Sequence, residues 1–263
     1  MRMIVQALTN FTPEQLQGFR ASYSYPKAYM RIAKKEEAGD VQLFEGGPMA
    51  VFCRPAESEV TDLCLDRYHQ GLLCPKKPEQ PGQPDQQTQV VLGLASVIYW
   101  GFYTFGHNFA VNRVNWFLQG RPPHGNPVCQ NEAVRCLETA CNHAKTGHMG
   151  QAMSALSGLN QLSRTPFASK VIAFLDPDKA GVYDNRIRNG LHQDPYPLAI
   201  RNGVGSVRTV KYQQRYQAWC EYLQQVAGLL NQQGSRWSCG ANQKKEWRPL
   251  DVERALFAAF QSA

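Results

Sequence analysis

The chain has neither a Cys-x-x-Cys nor a His-x-x-x-His spacing, which removes the common structural zinc sites. Its eight cysteines, at 53, 64, 74, 129, 136, 141, 220 and 239, are scattered over 263 residues, a length that needs no covalent staples. The first residues do not follow the basic, apolar, small-residue order of a secretory signal, and no internal repeat is visible. Reduced thiols in a cytoplasmic, monomeric protein are the expectation. One stretch without Asp, Glu, Lys or Arg, residues 90–112, approaches the length of a membrane span. It is interrupted by Gly93, Ser96, Gly101, Thr104, Gly106, His107 and Asn108, and it is read as a buried helix.

With 43% hydrophobic and 11% aromatic residues the chain can bury a sizeable core. The net charge of +7 permits a polyanionic partner without requiring one. Its distribution is uneven. Lys and Arg against Asp and Glu number 8 to 9 in residues 1–74, 6 to 4 in 75–163 and 14 to 8 in 164–263, so the basic excess lies in the last third.

Helical patterns dominate. Thr12-Pro13-Glu14-Gln15 has the hydroxyl, proline and glutamine of a capped start. Further helical signals fall at 24–39, 57–70, 129–145, 148–162 and 209–231, and a short last helix begins at Pro249 with Asp251 as its expected cap. VQLFE and MAVFC around Gly46-Gly47-Pro48 read as a hairpin. Residues 75–89, PKKPEQPGQPDQQTQ, are rich in breakers and glutamine and read as a linker. The predicted organisation is a helical and hairpin subdomain at 1–74, the linker at 75–89 and a helical domain at 90–263, a mainly α fold. The stripe of Tyr212, Tyr216, Trp219, Tyr222 and Leu223 has helical spacing and is read first as core packing.

The most informative segment is 165–191, TPFASKVIAFLDPDKAGVYDNRIRNGL. On a helix beginning near Phe167, the residues Phe167, Val171, Phe174 and Leu175 share an apolar face, with Lys170 at its margin. A partly desolvated lysine amine is a usable nucleophile. After the turn at 176–181, Asp184 stands where a side-chain oxygen caps the next helix and is held rigidly. Two helix starts separated by one turn bring Lys170 and Asp184 toward a common cleft.

These residues resemble the helix-hairpin-helix DNA glycosylases, and more closely the bacterial proteins similar to 8-oxoguanine DNA glycosylase. Ser169-Lys170-Val171 is similar to the family's lysine segment, Val182-Tyr183-Asp184 to its approach to the aspartate, and residues 247–257, WRPLDVERALF, to its closing segment. The resemblance implies a helical glycosylase fold carrying the small hairpin-containing subdomain, double-stranded DNA with a modified base as partner, and no cofactor or metal. Lys170 would attack C1′ of a flipped nucleotide and form a Schiff base, with Asp184 stabilising the charged sugar. The hairpin stretch 163–168 holds no glycine, so phosphate contact is assigned to Arg164, Thr165, Ser169, Arg186, Arg188 and Lys211, with Arg201 and Arg208 also available. Trp100, Tyr103, Trp219 and Trp247 are the aromatic candidates for the base pocket. The implied substrate is an oxidised purine or a modified base of foreign, phage-type DNA. The alternatives are a non-catalytic DNA-binding module on the same fold, or a helical interaction domain that only resembles it.

Overall fold

Backbone turns with strong capping chemistry divide the chain into helices, and a computed structural model describes residues 5–54, 60–75, 85–123, 125–192, 195–201, 203–239 and 243–261. Helix α1 (Val5–Thr9) leads into α2 (Pro13–Ser22), where Thr12 and Gln15 form a reciprocal capping box. A three-stranded antiparallel sheet follows, β1 (Tyr29–Ile32), β2 (Val41–Gln42) and β3 (Met49–Cys53), in the order β1-β3-β2. The expected hairpin is β2–β3, paired Val41 to Ala50 and Gln42 to Met49.

The helix expected at 24–39 is not formed. Tyr29 to Ile32 pair with Cys53 to Ala50 instead, and the Met30 amide donates to Ser96 Oγ at 2.9 Å. Met30 is buried as the inner residue of an edge strand, so sheet pairing and contact with the neighbouring helix override local propensity.

Eight further helices complete the main body: α3 (Asp62–Leu73), α4 (Gln86–Phe102), α5 (His107–Leu118), α6 (Gln130–Lys145), α7 (Met149–Ala155), α8 (Thr165–Leu175), α9 (Asn185–Gly190) and α10 (Val210–Gln232). A short pair of strands, β4 (Trp237–Cys239) and β5 (Gln243–Lys245), precedes α11 (Pro249–Ala259). Of the expected linker, residues 76–84 lie outside the described residues; residues 86–89 form the first turn of α4, capped by Asp85.

Helix α4 is the central strut. Every residue from Val90 to Phe102 is buried, and α3, α5, α6, α8 and β1 pack around it. It is the one described helix long and apolar enough to cross a membrane, and 78% of its apolar window lies inside the fold. Helix α11 is also buried nearly throughout and lies along α2. The two meet over an ionic cluster. Arg254 binds Asp66 of α3 with both terminal nitrogens, Arg248 bridges Asp66 and Asp251 at 2.7 Å each, and Arg20 joins Asp62 and Asp251.

Asp251 therefore does not cap α11. The cap position belongs to Arg248, and the Asp251 carboxylate is drawn inward to the guanidinium groups, whose charge and hydrogen bonds offset its burial.

Candidate functional site

Helix α8 begins where Arg164, in extended conformation, hands over to Thr165 and Pro166. Its apolar sequence is buried on almost every side, because α3, α4, α6, α7 and α10 all touch it. Lys170 is carried inside with its neighbours and is 4% exposed. Gly101 of α4 makes the room: a β-carbon there would lie 2.8 Å from Lys170 Cδ and 3.0 Å from the Phe167 ring. The ammonium sits 5.7 Å from the Trp100 ring centre and 5.4 Å from that of Phe167.

Asp184 caps α9. One carboxylate oxygen, Oδ1, accepts from the amides of Arg186 and Ile187 at 3.0 and 3.1 Å. The other, Oδ2, faces Lys170 Nζ at 3.8 Å. The two residues are brought together by the residues before them. The Tyr183 amide donates to Ser169 Oγ at 3.0 Å, so the chain preceding the aspartate is bonded to the chain preceding the lysine. Trp219 of α10 donates its indole N–H to the Val182 carbonyl at 3.0 Å, and the Tyr183 hydroxyl donates to the Ile200 carbonyl while accepting from the Gly203 amide.

Two spaces that share Tyr25, Lys170, Asp184 and Phe257 among their walls adjoin the pair. An inner cavity of about 10 Å³, the size of one water, is bounded by Lys170, Asp184, Tyr23, Tyr25, Trp100 and Glu253. An outer cleft of about 340 Å³ opens beside Lys170 and Asp184, with Tyr25, Phe102, Phe105, Phe167 and Phe257 among its walls and Asn185 and Arg186 at one side. Phe102 and Phe167 are stacked at 3.8 Å, Arg186 lies 4.4 Å over the Phe257 ring, and Phe105 is 69% exposed.

Of the aromatic candidates, Trp100 lines the inner cavity. Tyr103 packs on Tyr99 at 5.6 Å and accepts from Arg54 rather than lining either space. Trp219 and Trp247 are core residues. Trp219 is fully buried on Val182, and Trp247 is 3% exposed with its indole N–H on Ser235 Oγ. They are corrected from pocket residues to structural ones, because their polar edges are already satisfied inside the fold.

The residues assigned to phosphate divide similarly. Arg164, Arg186 and Lys211 are exposed, Arg186 at the cleft. Arg188 is half-buried and donates to Asn189 Oδ1. Arg201 and Arg208 donate to the Tyr196 and Ser157 carbonyls. Thr165 is buried with its hydroxyl donating to the Gly205 carbonyl at 3.0 Å, and Ser169 is buried against Tyr183, so both hydroxyls hold the fold and neither faces solvent.

Sequence reading missed Tyr25, Phe102, Phe105, Phe257 and Glu253. Glu253 and Phe257 are four apart on α11, the spacing of one helix face, and that pattern was the available signal. Glu253 is 3% exposed, and burial pushes its carboxyl up to about 8, with Asp184 adding to the rise and Arg254, Lys170 and Arg20 opposing it. Among the described residues, no three His, Cys, Asp or Glu side chains gather as metal ligands. No protein-family model, curated protein or solved structure matches the chain.

Proposed function

We propose that the protein is a DNA glycosylase with lyase activity, on a helix-hairpin-helix type of fold, that removes a modified base after flipping its nucleotide into the cleft beside Lys170. The observation that carries this reading is the Lys170–Asp184 contact of 3.8 Å at the floor of an aromatic cleft. A buried amine beside a fixed carboxylate is suited to attack an electrophilic sugar carbon, and the carboxylate offsets the positive charge that develops there.

The chemistry runs through this chain's own groups. Phe102, Phe105, Phe167 and Phe257 offer faces to an extruded base, and a cleft of about 340 Å³ is at the lower end of the range that encloses a small ligand. Lys170 attacks C1′ as the bond to the base breaks. Loss of the base and opening of the sugar ring give a lysine-bound Schiff base, from which loss of a C2′ proton forms the C2′–C3′ double bond and expels the 3′ phosphate. Asp184 stays in place through these steps because two backbone amides hold its other oxygen. Arg164, Arg186 and Lys211 are the exposed cations for the phosphates.

The substrate class that fits is an oxidised purine or another modified base, including one carried by foreign DNA. The test is single-turnover base release from duplexes bearing 8-oxoguanine, uracil, hydroxymethylated or glucosylated cytosine, with binding measured against salt. Release from one of these, with affinity falling steeply as salt rises, is the expected result. Salt-dependent binding with no release from any duplex points to the non-catalytic DNA-binding module, and no binding contradicts both.

A further inference from the structure

The buried acids among the described residues fall into two kinds. Asp66 and Asp251 are each held by arginine, as buried carboxylates must be. Glu253 is just as deeply placed and, among the described residues, has no such ion pair. Its side chain borders the same inner cavity as Lys170 and Asp184. The fold also makes space for it: a β-carbon on Gly181, in the turn that leads from α8 to Asp184, would come within 2.9 Å of Glu253 Cβ and 3.2 Å of its Cγ.

We propose that Glu253 is the proton-transfer residue of the Lys170 reaction, its neutral carboxyl taking a proton from the lysine nitrogen on one oxygen and giving one to the departing sugar oxygen from the other. This rests on the glycosylase and lyase reading above. When Lys170 nitrogen bonds to C1′ it carries a proton that must leave, and the C1′–O bond that breaks leaves an oxygen that must gain one. One proton leaves nitrogen, one reaches oxygen, and the carboxyl is restored; no oxidant or reductant is needed. A carboxylate can accept but not donate, so the residue must be kept neutral, and burial beside Asp184 keeps it so. Asp184, anchored on amides, remains the fixed anion. The transfer passes directly or across one water, for which the cavity has room.

The charged groups facing Glu253 are Lys170 on α8, Asp184 at the start of α9, Arg20 on α2 and Arg254 on α11. Two phenols, Tyr23 and Tyr216, also act on it, and a third, Tyr25, shares its cavity. Tyr23 and Tyr216 are held well above the ordinary tyrosine value by burial, and Tyr25 is raised by burial against the pull of Lys170. Ionisation of Glu253 then sets the alkaline limb, and strand cleavage falls as the pH rises past about 8.

The test is the rate of borohydride-trapped adduct on an abasic duplex, with the affinity for that duplex measured alongside. Glu253→Gln should lower the trapping rate about 100-fold, with affinity changed less than about threefold, and should abolish the alkaline limb; Glu253→Asp should restore part of the rate. Equal loss of rate and affinity, or an unchanged alkaline limb, overturns the proposal. If Glu253→Gln does not fold, Glu253→Asp alone decides, since a full wild-type rate with the carboxyl drawn back by one methylene also overturns it. A wild-type protein that binds the duplex and gives no adduct overturns the lyase reading itself, a result distinct from any of these.

Discussion

Ser169 and Tyr183 are joined by a buried hydrogen bond of 3.0 Å from the Tyr183 amide to the Ser169 hydroxyl. Because Lys170 follows the first and Asp184 the second, this bond holds the chain segments that carry the two side chains of the 3.8 Å contact. Ser169→Ala leaves a buried amide without its acceptor, at a cost of about 1–3 kcal/mol in urea unfolding. The same change should lower adduct formation by more than the stability loss explains, because the aspartate is no longer held in register with the lysine. Wild-type stability in Ser169→Ala contradicts the assignment.

Gly101 tests the lysine's seat from the opposite helix. Alanine there meets the Lys170 stem at 2.8 Å and must displace it. A displacement of this kind costs about 100-fold in a reaction that depends on geometry, so Gly101→Ala should trap slowly while retaining the helical circular-dichroism signal. An unaltered trapping rate would place the attacking nitrogen elsewhere.

The ionic cluster between α3 and α11 predicts acid sensitivity. Burial alone would raise the Asp66 carboxyl, but Arg254 and Arg248 outweigh it and hold the group below its ordinary value. Its stabilisation is present above the unfolded value near ~3.9 and lost as the pH falls through the lower folded value. His69 acts in the same direction. Burial lowers it to about 4, so the unfolded chain binds its proton first and stability declines as the pH falls from about 6.5 toward 4. Asp66→Asn should cost about 3–5 kcal/mol at neutral pH and flatten the lower part of the acid profile.

Glu253 predicts the opposite slope at higher pH. The folded protein keeps this proton up to about pH 8, while an unfolded glutamate releases it near ~4.3. The folded state therefore binds more protons across that interval, and stability falls as the pH rises through it. Glu253→Gln should melt higher than wild type at pH 8 and lose the advantage at pH 4. Parallel melting curves across the range would show that the carboxyl is ionised throughout.

Much of this arrangement is legible in the residues themselves. The capping box at Thr12, the β2–β3 hairpin, the buried strut at 90–102 and the helices around Lys170 and Asp184 follow from local chemistry, and local signals place the lysine and the aspartate one turn apart. Other features depend on distant partners. Tyr29 to Ile32 become a strand because β3 and Ser96 receive them, 18 or more residues away. Asp251 abandons its cap for Arg20, far earlier in the chain. Trp219 and Trp247 look like pocket aromatics until their indole N–H groups are seen on Val182 and Ser235. The cleft's own walls, Tyr25, Phe102 and Phe257, come from the loop after α2, from α4 and from α11, and only Phe257 carries a local clue, its spacing from Glu253.

The most direct test of the account is borohydride reduction of the protein mixed with an abasic duplex, followed by peptide mapping of the adduct, for wild type and Lys170→Gln. A covalent product on the Lys170 peptide is expected in the wild type and none in the variant, with both proteins folded and both binding the duplex. An adduct on another lysine, or one that persists in Lys170→Gln, would contradict the assignment of Lys170 as the nucleophile.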